Sequence, residues 1–490
     1  MNGLEEILKL IQGIKNGEKA LIEKAYHFAE KAHAGQKRNS GEPYFNHVVA
    51  TAKILAHLGM DTKTIVAGLL HDTIEDTEVT EEILEKEFGS EILTLVNGVT
   101  KLGTMKYRGA ERHVESLRKF FMAIANDLRV LIIKLADRLH NVRTLEHVPP
   151  EKQKRIALET IEIHAKLANR IGMGKLKGYL EDASFQYAYP KEYAETNELL
   201  EDRAQSHKKD LAEVSTQLTK ELEKHKVKVL EMSQRLKNKY SLWQKLKRYN
   251  MDIDRIYDLI ALRVIVRNEA DCYRVLGIIH SVWHPLEGRI KDYIATPKPN
   301  GYRSLHTTIY TGNNGSIAEI QIRTSEMHAE AAYGIAAHFV YKERKSKKHP
   351  FENIQNLNWI EQLKDLQKLN DKPKQFLEHL KTDLFHDRIF IFTPKGDVVD
   401  LPEGSTPIDF AYAIHSDIGD HAHSAKINGK IGTLFTKLKN HDMVEIKSQK
   451  NSNPSSKWLD NTKTSMAKKH INQYLNKNSL LQKFKSFAKF

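Results

Sequence analysis

Histidines and carboxylates gathered on helices are what a divalent ion needs, and the first third of this 490-residue sequence offers such a set. His71 and Asp72 end the apolar run KTIVAGLL and are followed by Glu75 and Asp76. His71 with Glu75, and Asp72 with Asp76, have the i, i+4 spacing that puts side chains on neighbouring turns of one helix. Two more His-Asp dipeptides, His386-Asp387 and His441-Asp442, lack such company, so the dipeptide alone means little. His47 opens another helical pattern after the turn SGEPYFN, and VLIIKLADRLHNVRTL sets Asp137, Asn141 and Thr144 on one polar stripe. Drawn from three helices, His47, His71, Asp72 and Asp137 could hold one divalent ion with an open position for an acidified water. Glu75 and Asp76 are then placed to order that water or move its proton. Singly, each of these residues reads as an ordinary hydrogen-bonded helix end; the set does not.

A second group lies in GRIKDYIATPKPNGYRSLHTTIY and AEIQIRTSEMHAEAAYGIAAHFVYK. Lys291, Lys298 and Arg303 put cations around a Pro- and Gly-rich loop, which suits phosphate groups, and Tyr302 can stack on a base. In IAEIQIR, strand alternation puts Glu319, Gln321 and Arg323 on one face and Ile320 and Ile322 on the other. Asp258 opens DLIALRVIV. An Asp and a Glu converging on one sheet edge can hold Mg2+ and take a proton from a hydroxyl. A lone charged strand face is more often simply solvated; the order and density of these pieces give them weight.

The elements that must position these residues change in texture along the chain. Residues 1–195 read as almost all helix, with apolar residues recurring every three or four positions, as in Val48, Val49, Ala52 and Leu55. Residues 196–250 read as a charged helical connector ending in the basic segment YSLWQKLKRYN. A mixed α/β domain is expected over 251–345, then a helical linker over 346–385 that begins with the basic run KERKSKKHP. Residues 386–448 show short strands around one helix from Pro407 to His415, and 449–490 form a basic tail that turns amphipathic.

Composition bounds the partners. Lysine and arginine exceed the acids by a formal +13, a balance that attracts nucleotides or structured RNA but also suits a plain solubilising surface. No apolar run approaches the roughly eighteen residues of a membrane span. One cysteine, Cys272, excludes an intrachain disulfide and suits a reducing compartment, so a cytoplasmic location is expected.

HFAEKAHAGQKRNSGEPYFNHVVATAKIL, LLHDTIEDT and IIKLADRLHNVRTL closely resemble the HD-type hydrolase domain of the RelA/SpoT homologue family. The resemblance implies an all-α, manganese-dependent hydrolase that removes the 3′-diphosphate from guanosine tetraphosphate and pentaphosphate. His47, His71, Asp72 and Asp137 match its metal ligands, Glu75 and Asp76 the pair assisting the attacking water, Arg38 a substrate-contacting arginine, and Asn141 and Thr144 pocket residues. Asn39 stands where many members carry a second basic residue. Over about a hundred residues the second group resembles the family's synthetase domain, an α/β nucleotidyltransferase-like fold. That domain transfers the β,γ-pyrophosphate of ATP to the 3′-hydroxyl of GDP or GTP. By that match Asp258 binds Mg2+, Glu319 activates the hydroxyl and shares the ion, and Tyr302 stacks on guanine. His306, Gln321 and Arg323 then support the acceptor nucleotide; Lys245, Lys247, Arg248, Arg289, Lys291, Lys298 and Arg303 contact nucleotide phosphates. Arg289-Ile290-Lys291-Asp292 matches the basic loop of bifunctional members.

RIFIFTPKGDVVDLPEGSTPIDFAYAIHSDIG and AKINGKI resemble the TGS domain, a small β-grasp module that in this family contacts uncharged tRNA on the ribosome. His415 matches the tRNA-contacting histidine. Long members continue into an ACT domain; the sequence stops at Phe490, so a member without that region is expected. Two sites with opposed activities also predict antagonistic coupling through the 150–250 region. Two alternatives stand beside this: a hydrolase whose α/β domain only senses nucleotide, and a tRNA- or ribosome-binding adaptor without turnover.

Overall fold

A computed structural model describes residues 3–11, 13–100, 124, 126–298, 300–311, 317–337 and 388–487 of the chain. They divide into two compact units, Met1–Thr104 with Asp127–Ile354, and Met105–Asn126 with Gln355–Phe490. The expected linker over 346–385 and the run KERKSKKHP lie outside the described residues. No described helix is long and apolar enough to cross a membrane.

The first unit opens with helices α1 (Gly3–Leu10), α2 (Asn16–Ala32), α3 (Phe45–His57), α4 (Thr62–Leu70), α5 (Thr73–Asp76), α6 (Glu81–Phe88) and α7 (Ser90–Thr100). Then come α8 (Leu128–Arg143), α9 (Pro150–Glu159), α10 (Ala165–Arg170) and α11 (Gly174–Ala188). Local chemistry fixes the key starts. Asp61 caps α4 by accepting from Thr64 N, Asp127 caps α8 through Arg129 N, and Pro150 supplies a helix-ready φ at the head of α9. The helix α8 is buried along most of its length against α3, α7 and α11, its charged residues included in part, as at Arg129. Its one buried acid is Asp137.

The same unit continues with α12 (Pro190–Lys224), β1 (Val229–Leu236), α13 (Lys239–Arg248), β2 (Ile260–Val266) and α14 (Glu269–Val282). β3 (Lys291–Asp292), β4 (Leu305–Tyr310), β5 (Ile317–Thr324) and α15 (Ser325–Tyr333) follow. The sheet order is β1-β2-β5-β4-β3, with β2 and β5 parallel and the other pairs antiparallel. Leu262, Val264, Ile320 and Ile322 join Leu218 and Leu222 of α12 and Val275 and Ile279 of α14 in one core. That leaves the opposite face polar. The stretch 196–250 is therefore not a helical connector: α12 covers the sheet, and β1 is its edge strand. β1 is largely exposed, so it lacks the apolar alternation that reveals a half-buried strand.

The element joining helical layer to sheet is α11. It packs on α8 and α9, and also on α13 and α15. Asp182 of α11 accepts from Tyr240 N at 3.1 Å and Asn238 Nδ2 at 3.1 Å, which ties down the start of α13. Next to it backbone meets backbone: Ile335 N donates to Ile171 O at 3.0 Å.

In the second unit, β6 (Arg388–Phe392) pairs with β7 (Val398–Pro402), and β8 (Ala422–Ile427) lies between β10 (Val444–Ser448) and β9 (Lys430–Gly432). A parallel bridge from Phe392 to Met443 joins the two ladders. α16 (Pro407–Ile414) and α17 (Ser416–Asp420) lie between β7 and β8. The basic tail expected after 448 folds over 456–487 into two helices. α18 (Ser456–Asn461) and α19 (Ser465–Phe487) dock on the module, with Trp458, Ala467 and Ile471 in its core beside Phe410 and Tyr412.

Candidate functional site

Two clusters stand in the first unit. In the helical layer, α3 supplies His47, the turn after α4 supplies His71 and Asp72, and α8 supplies Asp137. One ligand atom each from His47, His71 and Asp137 lies within 4.8 Å of the others, and all three residues are buried. Asp72 Oδ2 lies 3.0 Å from His71 Nε2 and 3.5 Å from His47 Nε2; Asp137 Oδ1 is 3.3 Å from His47 Nε2. His71 Nδ1 donates to Gly68 O at 2.9 Å, so Nε2 is the nitrogen left to face a metal. Despite its closeness to Asp72, His71 Nε2 makes no well-formed hydrogen bond among the described residues, although it is buried. Burial pulls His71 down, yet Asp72 and Asp137 more than offset it and hold it up at about 9. A site whose field draws positive charge, with an orphaned imidazole nitrogen, fits a divalent cation.

Glu75 and Asp76 sit on α5, one turn on from Asp72. The helix breaks at 71–72, so His71 and Glu75 do not share one continuous helix; Asp76 N still donates to Asp72 O at 2.9 Å. Burial, then Asp72 and Asp76, raises Glu75 to about 7. Tyr44, which the sequence reading missed, reaches Asp72 Oδ2 at 2.8 Å and Asp76 Oδ2 at 2.9 Å. Arg38, Asn39, Asn141 and Thr144 line an adjoining pocket of 220 Å³ with Lys134 and His147. Arg38 Nη2 donates to Asn141 Oδ1 at 2.5 Å, and Asn141 Nδ2 to Asp137 Oδ1 at 2.5 Å.

The second cluster covers the polar face of the sheet. Register puts Ala261, Glu319 and Thr308 in one row across β2, β5 and β4, and Arg263, Gln321, His306 and Lys291 in the next, which runs on to β3. A cleft of 670 Å³ opens over them, walled by Lys245 of α13, Asp258, Arg289, Lys298, Tyr302 and Arg323, and across the way by α11. Asp258 binds Lys245 Nζ at 2.6 Å and Lys237 Nζ at 2.7 Å. Burial pushes the Asp258 carboxyl up, but the two lysines win and hold it at about 2. Glu319 Oε1 accepts from Gln321 Nε2 at 2.9 Å and lies 3.1 Å from His306 Nδ1. Burial raises its carboxyl and these bonds lower it further, so it too stays anionic, although Asp258 is near enough to oppose this.

Tyr302 OH is 2.8 Å from His306 Nε2 and accepts from Arg323 Nη2 at 3.0 Å, so a chain runs from Arg323 through Tyr302 and His306 to Glu319. The Nε–H groups of Arg263 and Arg323 are buried without a hydrogen-bond partner among the described residues, donors suited to an anion. Lys247, Arg248 and Arg303 do not line the cleft. Lys247 turns to the ring of Trp243, 3.7 Å from its centroid, and Arg303 is spent on Glu269 and Glu330 at 3.1 Å each. Tyr293 and His328 line it without having been singled out, as do Arg235, Lys237 and Arg263, the last three because β1 and the turn after it read as helix and a lone residue in β2 carries no signal. In the second unit His415 is exposed, and its Nδ1 accepts from Asp417 N at 3.2 Å, capping α17.

A metal-ready helical cluster beside a cationic α/β cleft, with a β-grasp module following, defines a multidomain nucleotide-type architecture, and comparison with known proteins gives each part its family. Residues 25–174 match the HD domain, 234–346 the region found in RelA / SpoT proteins, and 389–448 the TGS domain. The chain belongs to the RelA/SpoT homologue family. It is 47% identical over 459 residues to a GTP pyrophosphokinase of Myxococcus xanthus, covering 93% of this chain and 60% of the relative. It is 44% identical over 456 residues to a guanosine-3′,5′-bis(diphosphate) 3′-pyrophosphohydrolase of Aquifex aeolicus, covering 93% and 64%. To the bifunctional (p)ppGpp synthase/hydrolase RelA of Mycobacterium tuberculosis it is 45% identical over 465 residues, covering 94% and 63%. The chain thus spans about three fifths of the length of these curated relatives.

Proposed function

We propose that the chain is a two-site enzyme that makes and destroys guanosine tetraphosphate and pentaphosphate. In the cleft, the β,γ-pyrophosphate of ATP passes to the 3′-hydroxyl of GDP or GTP and AMP leaves. At the helical cluster, the 3′-diphosphate is hydrolysed back to GDP or GTP and pyrophosphate. The observation that carries this reading is that both carboxylate sets are complete within one unit, each held anionic: Asp72 with Asp137, and Asp258 with Glu319.

For synthesis, Glu319 takes the proton of the acceptor hydroxyl, its orientation fixed by Gln321 and His306. Asp258 and Glu319 offer the hard oxygen ligands that Mg2+ prefers beside phosphate oxygens. Lys245, Arg289, Lys291 and Lys298 meet nucleotide phosphates, Tyr302 stacks on guanine, and Gln321 and Arg323 brace the acceptor. Lys247, Arg248 and Arg303 stand off the cleft wall and are assigned to nucleotide phosphates only at its rim. For hydrolysis, His47, His71, Asp72 and Asp137 hold Mn2+, which when bound supplies an acidified water. Glu75, poised near neutrality, moves the proton with Asp76, while Arg38, Asn141 and Thr144 seat the guanosine.

The hydrolase spans residues 1–195, and the synthetase begins at β1 rather than at 251. The TGS module, with exposed His415, is assigned to uncharged tRNA and the ribosome, in the cytoplasm. Between the two sites, α11 is the coupling element, since it packs on α8 and on α13 and α15. Hydrolysis rates that stay equal with and without GDP plus an ATP analogue would reject the coupling.

A paired assay by nucleotide chromatography tests the whole reading, with ATP, GDP and Mg2+ in one tube and guanosine tetraphosphate with Mn2+ in the other. Asp258→Ala is expected to silence only the first and Asp72→Ala only the second. No AMP from the wild-type chain, with or without tRNA, would reject the synthetase half.

A further inference from the structure

A third histidine stands in the helical cluster with no role in the mechanism above. His140 is half-buried on α8, three residues after Asp137, and one of its ring nitrogens faces two partners at once. His140 Nδ1 lies 2.8 Å from His47 Nδ1 and 3.0 Å from Arg38 Nη1. The proton inventory of these groups favours one arrangement, in which His140 Nδ1 is shared between two donors. A guanidinium only donates, so His140 Nδ1 is the acceptor and carries no proton. The contact with His47 then needs a donor from the other side, so His47 Nδ1 carries the proton. His47 Nε2, which faces Asp72 and Asp137, is then the nitrogen left to a metal.

His71 reaches the same state by a different anchor, the Gly68 carbonyl. His47 has an imidazole instead of a carbonyl behind it, and that imidazole is shared with the arginine of the substrate pocket. Arg38 is thereby wired to both sides of the cluster: through His140 to His47, and through Asn141 to Asp137. Adjacent residues of one helix carry the two links.

We propose that His140 is a positioning residue of the hydrolase site: by accepting from both His47 and Arg38 it fixes which nitrogen of His47 faces the metal and ties the substrate arginine to that ligand. The proposal rests on the hydrolase reading of this cluster. It has a consequence for order of events. Metal and substrate bind on opposite ends of one short hydrogen-bond chain, so loss of the His140 acceptor weakens metal binding before any nucleotide is present.

His140→Asn and His140→Leu test this as a pair. The two side chains are nearly isosteric and both remove the ring, but Asn keeps an acceptor oxygen where Nδ1 stood and Leu puts a methyl group there. Mn2+ is titrated into the metal-stripped full chain, free ion is read by electron paramagnetic resonance, and KM and kcat for guanosine tetraphosphate are measured at saturating Mn2+. The Leu variant is expected to bind Mn2+ roughly 10–100-fold more weakly than the wild type and to show a raised KM, with Asn restoring most of both. Partial misfolding lowers the stoichiometry of bound ion and kcat, but leaves the dissociation constant and KM of the folded fraction alone, so the two effects separate. Equal Mn2+ affinities in the Asn and Leu variants, with the wild type binding and hydrolysing, would overturn the role of His140 alone. A wild-type chain that neither binds Mn2+ nor hydrolyses the nucleotide would overturn the hydrolase reading, and the proposal with it.

Discussion

Lys237 Nζ stands 2.7 Å from Asp258 Oδ2, joining the residue after the edge strand β1 to the acid two positions before β2. Lys245 takes the other oxygen from α13, so the carboxylate is bracketed by two ammonium groups. This explains why Asp258 stays ionised in a crowded cleft, and it keeps both lysines beside the position where polyphosphate must lie. Lys237→Ala should lower AMP formation roughly 10–100-fold, the scale of one lost charge-assisted hydrogen bond, and leave hydrolysis unchanged. Steady-state assays of both reactions on the same preparation check it. Wild-type synthesis in the variant would remove Lys237 from the site.

Lys298 gives the cleft a pH signature. Its side chain keeps access to solvent, yet protein crowds the ammonium, and burial with Lys291, Lys237 and Arg235 pushes it down to about 8. The sign follows directly. The free site loses this positive charge as pH rises through about 8, and a bound phosphate favours its return. Nucleotide binding should therefore take up about half a proton near pH 8 and close to one near pH 9, with affinity falling as pH rises above 8. Calorimetry in two buffers of different ionisation enthalpy measures the uptake. Lys298→Arg should abolish it, because a guanidinium stays charged throughout.

The grouping of His47, His71 and Asp137 was legible because the apolar period of their helices places them, whereas of the two i, i+4 spacings only Asp72 with Asp76 survives the break at 71–72. The Glu319, Gln321, Arg323 face was legible for the matching reason in a strand: Ile320 and Ile322 fix which side is core. What stayed hidden has a common physical cause. β1 is an exposed edge strand, so neither alternation nor apolar content marks it, and Arg235 and Lys237 vanished into a supposed helix. A basic helix looks uniform in sequence, but two residues span about 200° of turn, so Lys245 reaches Asp258 while Lys247 lies over the ring of Trp243. Tyr44 and His140 act through hydrogen bonds to residues far away in sequence, which no spacing reveals.

Besides the core contacts of Trp458, Ala467 and Ile471, one buried acid ties the C-terminal helices to the second unit. Asp409, on α16, accepts from Lys463 N at 3.0 Å, Thr464 N at 2.7 Å and Thr464 Oγ1 at 2.9 Å, besides Thr406 N at 2.8 Å. Asp409→Ala leaves these donors dry in an apolar setting, at a cost of about 2–3 kcal/mol to the local docking. Hydrogen exchange followed by mass spectrometry should speed up over residues 456–477, while β6 and β7 keep their protection.

Gly334 bears on the coupling of the two sites. It ends α15 with φ of 55° and ψ of −128°, a backbone conformation that suits glycine. A Cβ there would strike Ile171 O and Gly172 C, and would stand 2.6 Å from Met173 N. Gly172 faces back, with room for no Cβ against Asn300 O at 2.8 Å, and Asn300 belongs to the loop that carries Lys298 and Tyr302. Glycines on both sides thus let the turn before α11 press against the end of α15 and the phosphate loop together. Gly334→Ala must part these backbones, which costs about 1–3 kcal/mol in strain and lost contact. Synthesis should fall at least roughly tenfold, because the α11 wall of the cleft moves, while basal hydrolysis persists on α3, α4 and α8. The decisive measurement is the response of hydrolysis to GDP with an ATP analogue. If the turn carries the coupling, the variant hydrolyses at one rate with or without those ligands; a response as large as in the wild type would place the coupling elsewhere along α11.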